Sequence, residues 1–465
     1  MKAKLLSING MTTPETALRV GDTFEFKELE VVPPEPPKEA GWTEWPSSGR
    51  AQVLVGTGDN LADVLKAAEP GTDVLLEAGN IYNQPLGTLN CDDVRIGKFG
   101  EGPRPVIRPG DKDGIRIMGK GITLSDIVIE GPDDVLSTRG TGVTSTGPLS
   151  GFRMENVAIK QMGFGVSIQE FGGKLIDDVT LFRCVIADCI NAVMVDGEIR
   201  QRYSSGVFIN DASLLTLEEC VIVGNGFRDG LLDPDEREPG THGLYCQYEV
   251  DTARVLRNIV IGNAQNGLMV RNDYHDVSGN FIAHQPNGIV SGTAKTETLA
   301  SGYVLQNTIV EGVLGIKPGS SGGMCWGMNV HDVEDMDVQE NLIANPLTDA
   351  ANLRGIQLGQ TLRESNISEN TVWNWGHAID SSASDYEGSA IENNVLIVRS
   401  GRTALRGNAI GYSGINNIST DRADIPLKLS TLHPNLEAEL RAMERGNWTH
   451  TAASLAKPWR EAAGM

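Results

Sequence analysis

Gly243-Leu-Tyr-Cys246 then Asn258, Gly267-Leu-Met-Val270 then Asn280, Gly288-Ile-Val290 then Asn307: three copies of one unit stand in succession. In each, a glycine opens a short strand in which apolar residues alternate, and an asparagine follows 13 to 19 residues later. Working outward, the same strand opens at Gly114, Gly142, Gly165 and Gly206 on one side and at Gly327, Gly355, Ala378 and Ala404 on the other. The second-half marker is Asp126, Asn156, Cys184 or Cys220 before these copies, and Asn341, Asn370, Asn394 or Asn417 after them. Eleven units in one order, with markers 22 to 38 residues apart, have the period of a solenoid coil. Short strands between glycine and asparagine turns predict β coils.

One coil cannot bury its apolar face alone. Stacked parallel strands at about 4.8 Å spacing would make a rod roughly 50 Å long with a continuous Val/Ile/Leu interior. The asparagines suit its turns, since Asn tolerates left-handed backbone and stacked amides hydrogen-bond from coil to coil. Asn60-Leu-Ala-Asp-Val-Leu-Lys-Ala-Ala68 predicts an amphipathic helix with Asn60 as N-cap, ended by Pro70-Gly71. Thr72-Asp-Val-Leu-Leu-Glu-Ala-Gly79 and Gly102-Pro-Arg-Pro-Val-Ile-Arg-Pro109 follow it.

On these residues the chain resembles the right-handed parallel β-helix of the pectate-lyase-like superfamily, over about residues 53 to 420. The resemblance implies an all-β solenoid whose N-terminal end is plugged by the residue 60–68 helix. The fold hosts lyases, hydrolases, epimerases, esterases and adhesins, so it leaves the activity open. Three segments are expected: an arm over 1–45, the β-helix over 46–420, and a C-terminal cap or tail over 421–465. The arm holds a hairpin candidate, Asp22 to Val32, and a stiff Pro33-Pro-Glu-Pro-Pro37 spacer. It is too small to fold alone, so it packs on its own rod or on a partner. The tail reads as a helix from Asn435 to a Gly446 stop, then Trp448, Leu455 and Trp459, capping the open end or docking a partner.

Composition narrows the partners. A net charge of -22 argues against nucleic acid, whose binders neutralise phosphates with Lys and Arg. It also opposes a polyanionic glycan unless a local basic patch or bound cations intervene. No apolar run reaches membrane-spanning length, and Met1-Lys-Ala-Lys-Leu-Leu-Ser-Ile-Asn-Gly10 is too short in its apolar part for a secretory signal. The six cysteines form no Cys-x-x-Cys and no zinc spacing. Cys184 and Cys220 occupy the asparagine column on successive coils and read as buried thiols, with a disulfide between them as the alternative.

Alternation sends two residues of each glycine strand inward and leaves an outward column: Arg116, Thr144, Ser167, Phe208, Tyr245, Met269, Val290, Asn329, Gln357, Asp380 and Arg406. A companion column holds Gln169, Asn210, Gln247, Arg271, Ser291 and His331. The connections from Cys184 to Gly206, Cys220 to Gly243 and Asn307 to Gly327 take 22, 23 and 20 residues against 8 to 10 for tight turns. These insertions would wall a groove with Tyr245, Gln247, Met269, Arg271, Asp273, Val290, Asn329 and His331 as its floor. The second is acidic: Asp233, Asp235 and Glu236 could bind Ca²⁺ or supply glycosidase carboxylates, or be a solvated turn. His242 ends it and reads as a turn residue before a catalytic one. No dedicated metal site is read from the sequence.

Motifs that would fix an enzyme are missing. Thr241-His-Gly243 stands without the Asn-Thr-Asp and Arg-x-Lys partners of polygalacturonase-like hydrolases, and Arg104-Pro-Val-Ile-Arg108 has the wrong spacing for the pectate lyase Arg-x-Pro-x-x-Arg. Candidates for chemistry are therefore Asp233, Asp235, Arg271 and His331. The leading expectation is a virion-associated spike or fibre, extracellular once released, that binds cell-surface polysaccharide and is held to other virion proteins by residues 1–45. The resemblance to phage spikes implies a homotrimer. The alternatives are a polysaccharide lyase or glycoside hydrolase on the same rod, and a purely structural rod.

Overall fold

In the computed structural model the described residues run from 49 to 465, apart from 134–138, 171–175, 196–197, 202, 227–239, 248, 296–297, 314–324, 346–352, 399–401, 409–416, 421–424 and 426. The arm expected over 1–45 lies outside them.

Each coil contributes three parallel segments. In the coil that starts at His242 these are His242–Cys246, Thr252–Leu256 and Ile259–Ile261. The first two runs merge into one 25-stranded sheet, and the third forms a separate sheet of 13 strands. Pairing between coils is parallel and in register, so the expected column is real: Tyr245 pairs with Met269, Met269 with Val290, Val290 with Asn329, and Asn329 with Gln357. Leu244, Cys246, Leu268, Val270 and Ile289 point inward and are fully buried.

The opening glycine is imposed by the neighbouring coil. A Cβ at Gly243 would sit 2.5 Å from the Gly267 carbonyl oxygen, and one at Gly288 would sit 2.5 Å from that of Gly327. These glycine-opened strands therefore start where the next coil leaves no room for a side chain.

The asparagine column is a buried ladder. The Asn307 backbone N–H and side-chain amide both donate to Asn341 Oδ1, at 2.9 and 3.0 Å, and Asn341 repeats this to Asn370 at 3.1 and 2.9 Å. The same amide also donates to a strand carbonyl, Val277 O for Asn307 and Val304 O for Asn341. One side chain thus satisfies several buried groups that no water reaches. The expectation that these asparagines take left-handed backbone is corrected for most coils. Arg257, Gln306, Glu340 and Glu369, each just before a ladder asparagine, carry the positive φ of 52–58° class, at 55°, 56°, 54° and 58°. Turning there frees the asparagine to face inward. Cys184 and Cys220 fill the N-terminal rungs as free thiols, with Cys220 N–H donating to Asn258 Oδ1 at 2.9 Å.

The entry helix is Leu61–Lys66, capped by Asn60 Oδ1 at 3.1 Å from Ala62 N and 3.3 Å from Asp63 N. Its Leu61 and Leu65 join the rod's interior.

The tail differs from the open-end cap. Its helices are Leu429–Leu432, Leu436–Ala442 and Ala452–Ala463, with a 3₁₀ turn over Met443–Arg445 stopped by Gly446 at φ 86°. Asn435 holds the N-cap position without a side-chain cap bond. Several strands of the 13-stranded sheet are three apolar residues long, as in Val221–Val223 and Ile259–Ile261. The middle residue faces the interior, and the outer two pack against Leu436, Leu440, Met443, Leu455 and Trp459. An all-apolar strand needs cover on both faces, and the tail supplies the second. Among the described residues its polar contacts retreat along the flank, from Glu311 (to Leu429 N) through His284 (to Glu437) and Asp188 (to Arg441) to Lys160 (to Glu444). It then returns to Arg460, which donates to Glu340 O at 3.0 Å. No described helix is long and apolar enough to cross a membrane.

Candidate functional site

On the face formed by the glycine strands, Phe208 and Tyr245 sit edge to face with ring centroids 5.6 Å apart, and Met269 continues the column. Val290 is only 5% exposed, whereas Met269 and Asn329 on either side of it are half-buried. Ser291 is corrected. It pairs with Val270 and Val330 in the inward column, is fully buried, and lies 2.7 Å from His275 Nε2 inside the rod. Gly292 is the companion-column residue opposite His331. An odd-numbered step from Gly288 faces in, and a three-residue match did not reveal where the strand ended.

Two residues beyond the column, where each coil bends toward its second segment, lies a cleft of about 510 Å³. Arg271 and His331 line it together with Lys295, Asp332, Gln360 and Arg363. Of the expected floor residues, the structure therefore brings Arg271 and His331 into one cleft. Asp273 is held at its edge by Lys295 Nζ, 2.8 Å away. Tyr245, Met269 and Asn329 flank it on the neighbouring column. Gln247 stands one coil before Arg271. Asp233, Asp235 and Glu236 lie outside the described residues, as do most of the second and third insertions. The first insertion carries an antiparallel ribbon, Ala192–Val195 with Glu198–Gln201.

Electrostatics single out two groups. Asp332 lies at 3.1 Å from His331 Nδ1, and Gln360, with its amide nitrogen turned to it, donates at 2.9 and 2.5 Å to the same carboxylate. A proton on Nδ1 directed at Asp332 leaves the Nε2 lone pair free. Burial pushes the His331 pKa down and Arg271 adds to this, against the opposing pull of Asp332. The imidazole is therefore neutral near pH 7. Arg271 is the complementary feature: Lys295 and Arg363 have carboxylates, Asp273 and Asp385, whereas Arg271 has none among the described residues and its Nε is buried without a partner. His242, fully buried, is pushed down to about 3 by burial and by Arg271, and it contacts Asn266 Nδ2 at 2.9 Å, as befits a strand residue.

Lys295, Asp332, Gln360 and Arg363 were not found from sequence. They lie past the glycine strand, where the coil turns, and periodicity within that strand carries no information about the corner.

Residues 106–282 match the family described as right handed beta helix region. The right-handed β-helix is thus supported by sequence as well as by strand order. No curated protein matches the chain. Among solved structures, the chain is similar to an endo-xylogalacturonan hydrolase from Aspergillus tubingensis, at 12% identity over 81% of this chain and 100% of that one, TM-score 0.42. It is similar to the A-module of a mannuronan C-5 epimerase from Azotobacter vinelandii, at 16% identity over 79% and 92%, TM-score 0.40. It is also similar to the Dettilon tailspike protein, at 12% identity over 79% and 68%, TM-score 0.40. These likenesses are of fold alone.

Proposed function

We propose that this β-helix binds an acidic polysaccharide, one acidic group seating on Arg271 in the cleft beside His331. The observation that carries the reading is the half-buried Arg271 guanidinium, its Nε enclosed without a partner and no carboxylate beside it among the described residues, in a chain of net charge -22. A carboxylate or sulfate on a sugar would complete its hydrogen bonds, and Tyr245 offers a ring face and Met269 an apolar thioether alongside. In this reading residues 1–45 carry the protein on a particle surface and the rod serves as its receptor-binding spike, assembled as a trimer. Titration of the full chain with acidic and neutral polysaccharides tests the binding, run with and without a chelator to test Ca²⁺ at the acidic insertion. Binding of neutral dextran equal to that of a polyuronate would overturn it. A mass measurement in solution reads the assembly, and particles carrying the protein without residues 1–45 read the attachment.

A specific feature supports a second reading, cleavage. Neutral His331, with Nδ1 turned to Asp332, presents Nε2 as a base, and Arg271 beside it would offset charge on a uronate carboxylate. His331 Nε2 would take the C5 proton, the C4–C5 double bond would form as the C4–O bond breaks, and the departing oxygen would take up a proton from water to end as a hydroxyl, shortening the chain by elimination. The ultraviolet absorbance of the unsaturated product, abolished in His331→Ala, is the expected signal. Shortening without that absorbance would indicate hydrolysis, and intact chains would leave binding alone.

A further inference from the structure

We infer a second anion subsite on the same face, where Arg354 and Arg406 straddle Asp380, so that the bound acidic glycan spans two cationic points, Arg271 and this pair, centred four coil steps apart. This deepens the proposed function and rests on it for the identity of the ligand. Asn329, Gln357, Asp380 and Arg406 are consecutive members of the outward column. Arg354 Nε lies 2.8 Å from Asp380 Oδ2, and Arg354 Nη1 donates to Gln357 Oε1 at 2.5 Å. From the other side Arg406 Nε stands 4.0 Å from Asp380 Oδ1. Two guanidiniums thus share one carboxylate, and that carboxylate is only 7% exposed.

Among the described residues the remaining neighbour in contact, His377, adds no negative charge. Arg406 Nη1 lies 2.8 Å from His377 Nε2, so this nitrogen accepts and the ring is neutral. Burial lowers the His377 pKa, and Arg406, Arg354 and Arg402 reinforce it over the opposing pull of Asp380. The group therefore carries a net positive charge with a half-exposed guanidinium, Arg406 side chain 51%, at its outer rim. A ring of donors around one already occupied carboxylate fits an incoming carboxylate or sulfate ester.

Position relative to the cleft sets the size of the ligand. Asp380 is four coil steps from Met269, through Val290, Asn329 and Gln357, and Arg271 is two residues along the strand from Met269. At about 4.8 Å per coil and about 3.3 Å per residue the separation is roughly 20 Å. One sugar ring does not bridge it; a chain of several residues with acidic groups on non-adjacent sugars does. Asn329 and Gln357 lie between, as hydrogen-bonding partners for hydroxyls.

The test is calorimetry of the full chain with a size ladder of oligogalacturonates and oligomannuronates, from the disaccharide to about the decasaccharide. Arg406→Ala removes an exposed side chain, and an unchanged melting temperature will show that the fold is kept. Expected is a roughly tenfold loss of affinity for the long oligomers, none for the disaccharide, and a shallower salt dependence; Arg406→Glu should lose more. A free sulfate or phosphate ion competing as well as the long oligomers would overturn the spanning arrangement. Arg406→Ala with no effect at any length would sink the subsite while leaving an Arg271→Ala defect intact. The converse result, Arg406 mattering and Arg271 not, would remove the cleft and keep this subsite.

Discussion

The flank beneath the tail and the face of the glycine strands are built from the same stacked backbone yet serve opposite ends. On the flank, Val221, Val223, Ile259, Ile261 and Phe281 point outward and are covered by Leu436, Leu440, Leu455 and Trp459. On the face, Arg271 has no carboxylate partner among the described residues, and its Nε is enclosed without a hydrogen bond. Uncompensated charge and half-open polar side chains contribute little to folding, whereas a covered apolar strip contributes much. The comparison teaches that stability and recognition occupy different sides of the rod, and variants on each side should separate them.

The largest effect is expected from removing residues 429–465. This would bare an apolar strip along several coils, and soluble rods with such strips associate. We expect loss of soluble monomeric or closed-oligomer species by size-exclusion chromatography. Trp459→Ala is the milder form, at about 3–5 kcal/mol for a buried Trp. Unaltered melting of the Trp459→Ala protein would break the claim that the tail stabilises the flank.

Next is the ladder. Asn341→Ala deprives the Asn307 N–H and amide of their shared acceptor, and two buried donors left unpaired cost about 2–5 kcal/mol. Asn341→Asp should keep an acceptor for Asn307 but lose both donations, to Val304 O and Asn370 Oδ1, so thermal melting should still show a clear loss of stability. Glycan affinity should be unchanged in the folded fraction.

A smaller effect, and one set by pH, concerns the pins of the tail. Burial alone would lower the His284 pKa, but Glu311 and Glu437 hold it up at about 9, while His284 chiefly holds Glu437 down at about 2. A histidine raised above its ordinary 6.5 stabilises fully below 6.5, and that contribution fades as pH rises through about 9. A carboxylate lowered from 4.5 stabilises above 4.5 and loses this as pH falls through about 2. Tail docking should therefore be firmest between about pH 4.5 and 6.5. Limited proteolysis across pH should show the tail released first on the alkaline side, and His284→Gln should flatten that limb. Equal cleavage at pH 6 and 9 would contradict it.

Much of the rod was legible in sequence because each coil repeats the same constraint. The glycine before Leu244, the alternation to Cys246 and the inward Asn258 recur often enough that noise averages out. The outward column from Arg116 to Arg406 follows from that register. What the repeat does not encode stayed hidden. Apolar triplets such as Val221–Val223 reveal burial on both faces but not that the tail supplies the cover, since the partner lies some 200 residues away in sequence. Arg271 and His331 were visible as companions on their strands, whereas Lys295 and Arg363 join them only through the corner of the coil. The acidic insertion with Asp233 and Asp235 drew notice by composition and falls outside the described residues.

The smallest stability effect should come with the largest binding effect. Arg271→Ala removes a cation that has no carboxylate among the described residues, so the folded state loses no ion pair, and the melting temperature should stay within about 1 kcal/mol of stability. A bound carboxylate would lose a charge-assisted bond of about 1.5–3 kcal/mol, or roughly tenfold to a hundredfold in affinity. Arg271→Lys keeps the charge without the planar fork and should recover only part. If Arg271→Ala instead lowered the melting temperature as much as Asn341→Ala, Arg271 would belong to the scaffold, and the division of labour between the two sides of the rod would not hold at its central residue.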